Sequence, residues 1–437
     1  MHDRVHDVAV IGGGPAGMAA AWHLRDLDLV LLEERRRLGG RLYSEPRGEY
    51  WLNLGGHLFP SGRSHVQEII SALGLRTVAI SGSKTSLEFG GTVYSPRRVE
   101  SYPFVLPMTV RERVALARAG LRLAAGVRGR RPPPDGSFAE LLGPLPARVD
   151  AILRAAGRRA CAELEQQSAS VGLSLFGTLW GDGADGVSLS VNLDGGSGRW
   201  AEAMSGLLGE RARLGARVVS AAERDGHQLV VYRRDGREER LRARQVILAV
   251  PAPAAAAIAS ELPEPVARCL AGIGYGAFVC AGVITKETGA MPWDDIYALV
   301  SASSCYDMWF NHANPLRTGG HRADGGSLMC YAGGAPAAAF LEIEESEIAS
   351  LMLADMLRIF PRLDGNIDEV KVQKWERGNV YRRPGEDRSA LHDYANAPGR
   401  AVHLAGDYFG DLGNMEVAAG AGAAAAGKVR HELSRAS

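Results

Sequence analysis

Four apolar residues close the segment His6-Asp7-Val8-Ala9-Val10-Ile11, which runs into a glycine-rich turn and then a helical pattern from Met18 to Arg25. A second apolar run, Leu29 to Leu32, stops at two glutamates. Such short unbroken runs predict buried strands. The same alternation of strand and helix returns twice. Residues 195–255 predict a helix followed by strands at Val218–Ala222, Gln228–Tyr232 and Val246–Val250, and residues 400–437 predict a strand at Val402–Ala405 and a long Ala-rich helix. The intervening stretches differ in character, holding amphipathic helices and strands with scattered aromatics. This interleaving predicts two discontinuous domains, one from residues 1–60, 195–255 and 400–437, the other from 61–194 and 256–399. No internal repeat or low-complexity linker interrupts them, and Arg130–Gly136, with three consecutive prolines, reads as an exposed connection. Before it, Val110, Val114, Ala117, Leu121 and Ala124 recur at helical spacing beside seven arginines and one glutamate, the pattern of a solvated helix covering the second domain.

Composition narrows the class. At about 150 residues per domain, 437 residues supply two or three units and an interior large enough to enclose a ligand. With 46% hydrophobic and 23% charged residues, and 50 basic side chains against 50 acidic ones, the chain is globular and carries no global field for nucleic acid. The start lacks an export signal, and no apolar run reaches the ~18 residues of a membrane span. Cys161, Cys269, Cys280, Cys305 and Cys330 are odd in number and widely spaced, so reduced thiols in a cytoplasm are expected and a structural zinc or other metal site is not.

The glycine-rich turn, Gly12-Gly13-Gly14-Pro15-Ala16-Gly17, follows a strand and opens a helix, the context in which GxGxxG binds a dinucleotide. Gly12 permits the tight turn, Gly14 lets a pyrophosphate approach the backbone, and Gly17 lets helix pack on strand; the helix N-terminus adds free N–H groups and positive dipole. A carboxylate after the second strand can accept both ribose hydroxyls of an adenosine. Glu33 is favoured and Glu34 is the alternative. The sequel Arg35-Arg36-Arg37-Leu38-Gly39-Gly40-Arg41 can wrap the far side of the pyrophosphate, which a non-dissociating cofactor needs, so the expected ligand is FAD rather than NAD, with Arg35, Gly40 and Arg41 in contact.

With VIGGGPAG, LLEERRRLGGRLYS and LNLGGHLF near the start, Gly195–Trp200 in the middle, and Leu404-Ala405-Gly406-Asp407 and Met415–Gly422 at the end, the chain resembles the glutathione-reductase-type FAD superfamily. The resemblance is to the branch of flavin amine oxidases, protoporphyrinogen oxidases, carotenoid desaturases and UDP-galactopyranose mutases. It implies an α/β fold: a Rossmann-like FAD-binding domain with a discontinuous mixed α+β substrate-binding domain. It also implies that Val218 meets the adenine, that Asp407 holds the ribityl or pyrophosphate region, and that Asn414 and Met415 border the flavin pyrimidine. Glu416 is a flavin contact, a helix cap or a solvated acid.

In this branch the flavin N5 accepts a hydride from a C–H bond, and the protein desolvates and orients the substrate. The resemblance therefore implies an oxidoreductase acting on a C–N or C–C bond of a small or medium-sized metabolite, reoxidised by oxygen. Two departures from a standard amine oxidase stand out. The stretch Gly274–Gly282 has no lysine, and Asn414 replaces the aromatic that many members place before the Met-Glu pair. Tyr381 and Trp375 are the candidates for the remaining cage walls. Gly55, Gly56 and His57 resemble a turn near the isoalloxazine, where His57 would donate to the flavin or act as a base; the usual acid two residues before Gly55 is Asn53. No cysteine lies in the C-terminal region, so non-covalent attachment is expected. Rival readings are a mutase on a nucleotide sugar, with Arg317, Arg322, Arg382 and Arg383 available for a diphosphate, and a non-catalytic flavoprotein. The expected partner is a small molecule, and the oligomeric state is left open.

Overall fold

The computed structural model describes residues 4–129, 135–177, 188–317 and 322–435. Most of the Arg130–Gly136 connection lies outside them.

Two seven-stranded sheets organise the chain. The first runs, edge to edge, through 212–214, 29–33, 5–11, 237–248, 227–234 and 217–224, with 402–404 paired beside 246–248. Its centre is parallel: Val8–Ile11 pairs with Leu29–Leu32 on one side and with Gln245–Leu248 on the other. Buried parallel strands read as unbroken apolar runs, and here Val8 and Val10 enter one core while Ala9 and Ile11 enter another. The first helix, Pro15–His23, starts three residues earlier than its apolar pattern, because Pro15 fits the first helical position. The C-terminal helix Met415–Arg435 lies on it, and Gly422 permits the approach: a Cβ there would collide with the Ala16 carbonyl oxygen. This sheet collects strands from residues 5–33, 212–248 and 402–404.

The second sheet runs 367–381, 274–285, 326–333, 308–311, 298–301, 86–89, 92–94, mostly antiparallel. One face packs Val279, Leu328, Trp309 and their neighbours under the helices Gly334–Leu341 and Glu345–Ile359. The opposite face carries Cys280, Tyr297, Met308, Phe310, Met329 and Tyr331, with Leu58 packed against them. That second face looks toward the Gly55–His57 turn, where the Phe310 ring meets His57.

The helix Val110–Val127 buries Glu112, Ala119 and Leu123 and exposes Val110, Val114 and Leu121. Thr109 and Glu112 close a capping box at its start.

Candidate functional site

Gly12 has φ 101°, a conformation that disfavours side chains, and its N–H donates to Leu32 O at 2.8 Å. Gly14 occupies the helix N-cap with extended backbone and no side-chain cap, so the first-turn amides are left for an external acceptor. A Cβ on Gly14 would meet nothing within 4 Å, whereas one on Gly17 would strike the Gly12 carbonyl. The second glycine pair closes over the first: Gly39 N–H donates to Gly13 O at 2.8 Å, and a Cβ on Gly40 would stand 3.1 Å from the Gly14 Cα. Glu33 is buried beside this turn. Its carboxylate accepts from the Gly13 N–H at 2.6 Å and the Arg35 N–H at 2.8 Å, while burial raises its pKa.

Arg41 extends from this loop to the far end of the chain. Its guanidinium meets the Asp407 carboxylate at 2.8 Å and donates to Gly378 O at 3.2 Å. Gly55 lies beneath Arg41, where a Cβ would collide with the Arg41 carbonyl, and a Cβ on Gly56 would press Leu42 at 3.1 Å. Gly406 and Gly413 admit the Tyr408 ring and the Asp407 carboxylate in the same way. Residues distant in sequence thus meet around one cradle of backbone amides, a carboxylate and a guanidinium.

Asn414 caps the C-terminal helix, its side-chain oxygen accepting from the Val417 N–H at 2.9 Å, and Met415 begins that helix. Glu416 belongs to a different helix end. Its two oxygens accept from His65 N at 2.8 Å and Val66 N at 3.0 Å, capping the helix His65–Ala72. Of its alternatives, capping is the one observed. Glu416→Ala is expected to cost about 1 kcal/mol of stability and to leave a bound flavin's absorption spectrum unchanged; thermal melts with spectra of the same samples check both.

Other candidates stand elsewhere. Glu34 points to solvent and pairs with Arg217 at 3.5 Å, since consecutive residues at a strand end face opposite ways. Arg35 lays its guanidinium over the Trp375 indole, 4.7 Å from the ring centroid, rather than over the glycine turns. Trp375 itself is a packing bolt: its Nε1–H donates to Leu54 O at 2.8 Å and Tyr43 meets it edge-on. Tyr381, on the same strand beyond a register shift, is buried against the helical layer around Leu164 and Leu173 and bridges to Leu412. Trp375 and Tyr381 therefore do not form facing walls of one cage. Val218 is buried in the first sheet, next to a bulge. Three of the four arginines considered for a diphosphate are paired with carboxylates, Arg317 and Arg322 with Glu287 and Asp294 and Arg382 with Asp411, while the Arg383 guanidinium reaches Gly272 O at 3.5 Å.

His57 is buried, its Nδ1 3.2 Å from Gly55 O, and it meets Phe310 and His312 edge-on at centroid distances of 4.5 and 4.7 Å. Sequence reasoning passed over His312 and Phe310, which lie in no motif. Burial pushes His57 down to about 4 and His312 well below its ordinary value, so both rings are neutral. Asn53 Oδ1, His57 Nε2, His312 Nδ1 and Asn192 Oδ1 are buried without a partner among the described residues. Unpaired buried polar atoms in one region mark a place where a ligand or water completes the bonding.

Low histidine pKa values also set a pH dependence. His403, beside Gln245 at 2.8 Å, is likewise pushed down to about 4. Below the ordinary value of 6.5 the unfolded chain protonates these rings and the folded chain does not. The unfolded state then binds more protons, so stability falls as pH drops from 6.5 toward 4, by about 1.4 kcal/mol per pH unit for each ring. Melting temperature should fall between pH 7 and pH 5, and His403→Gln should flatten that slope.

The cradle fits a dinucleotide: open space over Gly14, uncapped first-turn amides, a carboxylate at the second strand's end, and the Arg41–Asp407 pair nearby. The profile of the flavin containing amine oxidoreductase family matches residues 15–430. The chain belongs to this family. A flavin-containing amine oxidase of Danio rerio is 33% identical over 110 residues, covering 24% of this chain and 20% of that protein. Amine oxidase B of Bos taurus is 39% identical over 77 residues, covering 17% of this chain and 15% of that protein. The matched stretches thus span about a fifth or less of those relatives. Putrescine oxidase solved with putrescine is similar in fold, with a TM-score of 0.75, 21% identity, and coverage of 98% of this chain and 99% of that one. Cyclohexylamine oxidase from Brevibacterium oxydans gives 0.74 and 19%, over 99% and 100%. This member of the family therefore has the α/β fold with a Rossmann-like sheet that the resemblance implied. No helix among its described residues is long and apolar enough to cross a membrane.

Proposed function

We propose that this chain is an FAD-dependent oxidase that removes a hydride from the carbon next to a substrate nitrogen and returns to its oxidised form with oxygen. The observation that carries the reading is the buried aromatic cluster of Phe310, His57 and His312, in which His57 Nε2 and His312 Nδ1 have no partner among the described residues and both rings stay neutral. Bound there, FAD supplies the two-electron acceptor. Aromatic walls exclude water and favour the uncharged amine, the form able to lose a hydride. The unpartnered Nε2 of neutral His57 is able to accept a hydrogen bond from the N–H of the uncharged amine.

FAD rather than another flavin is supported by the Gly14 cradle and by Glu33, a buried carboxylate beside the glycine turn at the end of the second strand. Non-covalent binding is supported by the state of Cys161, whose thiol neighbours Arg41 and is pushed up to about 12 by burial, a poor nucleophile. All five thiols are unpaired, as suits a reducing cytoplasm. The flavin-loaded protein should consume oxygen and release one peroxide for each amine oxidised. Failure of aliphatic, aromatic and α-carboxylated amines alike to yield peroxide would contradict the reading.

A further inference from the structure

Few large apolar side chains stand out from this molecule, and they are not scattered. Among the described residues eight are prominently exposed, and five of these, Phe104, Val105, Val110, Val114 and Leu121, fall within one stretch of 18 residues. Phe104, Val110 and Leu121 are 76%, 78% and 71% exposed, whereas the remaining three, Leu207, Val219 and Leu351, reach at most 43%. Single exposed apolar residues need no explanation, but a patch of them marks an interaction surface.

The helix Val110–Val127 gathers the patch. At about 100° per residue, Val110, Val114 and Leu121 fall within about 40° of one another, and Arg118, Arg111 and Arg122 continue the same exposed face over a further ~80°. The opposite side is committed to the interior, where Ala119 and Leu123 share a core with Leu173. Arg113 ties the preceding turn, Tyr102–Val105, to the start of this helix. Its guanidinium donates to Phe104 O at 3.1 Å, Leu106 O at 3.2 Å and Met108 O at 3.0 Å. Phe104 and Val105 are thus held at the N-terminal end of the stripe.

Charge follows the same surface. From Arg97 to Arg128 the sequence has seven arginines and two glutamates, in a chain whose net charge is zero. One of the two, Glu112, is buried, closes the capping box at Thr109 and meets Arg148 at 3.5 Å. Among the described residues no carboxylate forms an ion pair with the exposed Arg97, Arg98, Arg111, Arg118, Arg122 or Arg128.

We propose that this face rests on an anionic lipid bilayer, with Phe104, Val110 and Leu121 seated at the boundary of headgroups and acyl chains and the arginines against lipid phosphates. An amphipathic helix lying in the plane of the interface divides its surface in this way, and guanidinium groups suit phosphate oxygens. Contact with a second copy through the same face would set arginines against arginines. The inference does not depend on the amine chemistry above.

Sedimentation of the flavin-loaded protein with lipid vesicles tests it. Wild type should bind vesicles of equal parts phosphatidylglycerol and phosphatidylcholine, bind phosphatidylcholine alone weakly, and be released as salt is raised. Leu121→Ser and Phe104→Ser should each weaken binding about 10-fold, and Arg111→Gln with Arg118→Gln about 25-fold. Leu351→Ser, which removes an exposed leucine elsewhere in the chain, should leave binding unchanged. All are surface changes, so melting temperature and flavin spectrum should match wild type. No binding of wild type to the phosphatidylglycerol vesicles would overturn the proposal, as would binding that the patch substitutions leave unchanged or that Leu351→Ser weakens equally. Binding to polyglutamate without binding to vesicles would assign the face to an acidic protein, and self-association lost in Leu121→Ser without vesicle binding would assign it to a second copy; either result overturns the bilayer assignment.

Discussion

Gly14→Val is expected to fold and to lose the flavin. The backbone at Gly14 is extended, with φ −74° and ψ −176°, a conformation valine adopts readily, and its Cβ would point into open space. Protein packing therefore gives no reason for glycine here. The reason is the ligand: a branched side chain would fill the volume over the uncapped amides of the first helix. Losing two hydrogen bonds to a charged phosphate costs on the order of 3 kcal/mol, about 100-fold in affinity. The variant should purify colourless, keep its far-ultraviolet circular dichroism, and take up added FAD far more weakly than wild type. Gly17→Val is the contrasting control, since its Cβ would collide with the Gly12 carbonyl; it should fail to fold. A yellow Gly14→Val protein would show that the dinucleotide does not approach there.

Arg41→Met is expected to weaken both the flavin site and the fold. The Arg41–Asp407 pair ties the second glycine turn to the C-terminal segment, and Arg41 also holds Gly378 O on the second sheet. Asp407 is buried, so removing Arg41 would leave a carboxylate without its counter-ion. Breaking a buried pair costs about 3–5 kcal/mol, and the one-third exposure of the Arg41 side chain places this case at or below the lower end. A fall of a few degrees in melting temperature is the expected size for a chain this long. Replacing both partners, Arg41→Met with Asp407→Leu, should recover most of the stability and none of the flavin affinity. That split separates the structural contribution of the pair from its contact with the cofactor.

What was legible in the sequence was the part imposed by backbone geometry. Gly12, Gly14 and Gly17 are fixed by a turn, an approach and a packing contact within six residues, so their spacing survives as a motif. The strands of the first sheet show as apolar runs because both faces are buried. Which of Glu33 and Glu34 turns inward depends on the phase of the strand end, and the structure turns Glu33 toward Gly13. Roles set by tertiary neighbours were not legible. Glu416 caps a helix 350 residues away in sequence, and Trp375 is claimed by Leu54, Tyr43 and Arg35 rather than by a chamber shared with Tyr381.

The most direct test of the account is the visible spectrum of the purified protein during anaerobic addition of phenylalanine and, separately, phenethylamine. The account predicts oxidised flavin bands that at least one of these amines bleaches without any other reductant, and that return when air is admitted. A protein that shows no flavin bands and takes up no added FAD, or whose bands no amine bleaches, would contradict it.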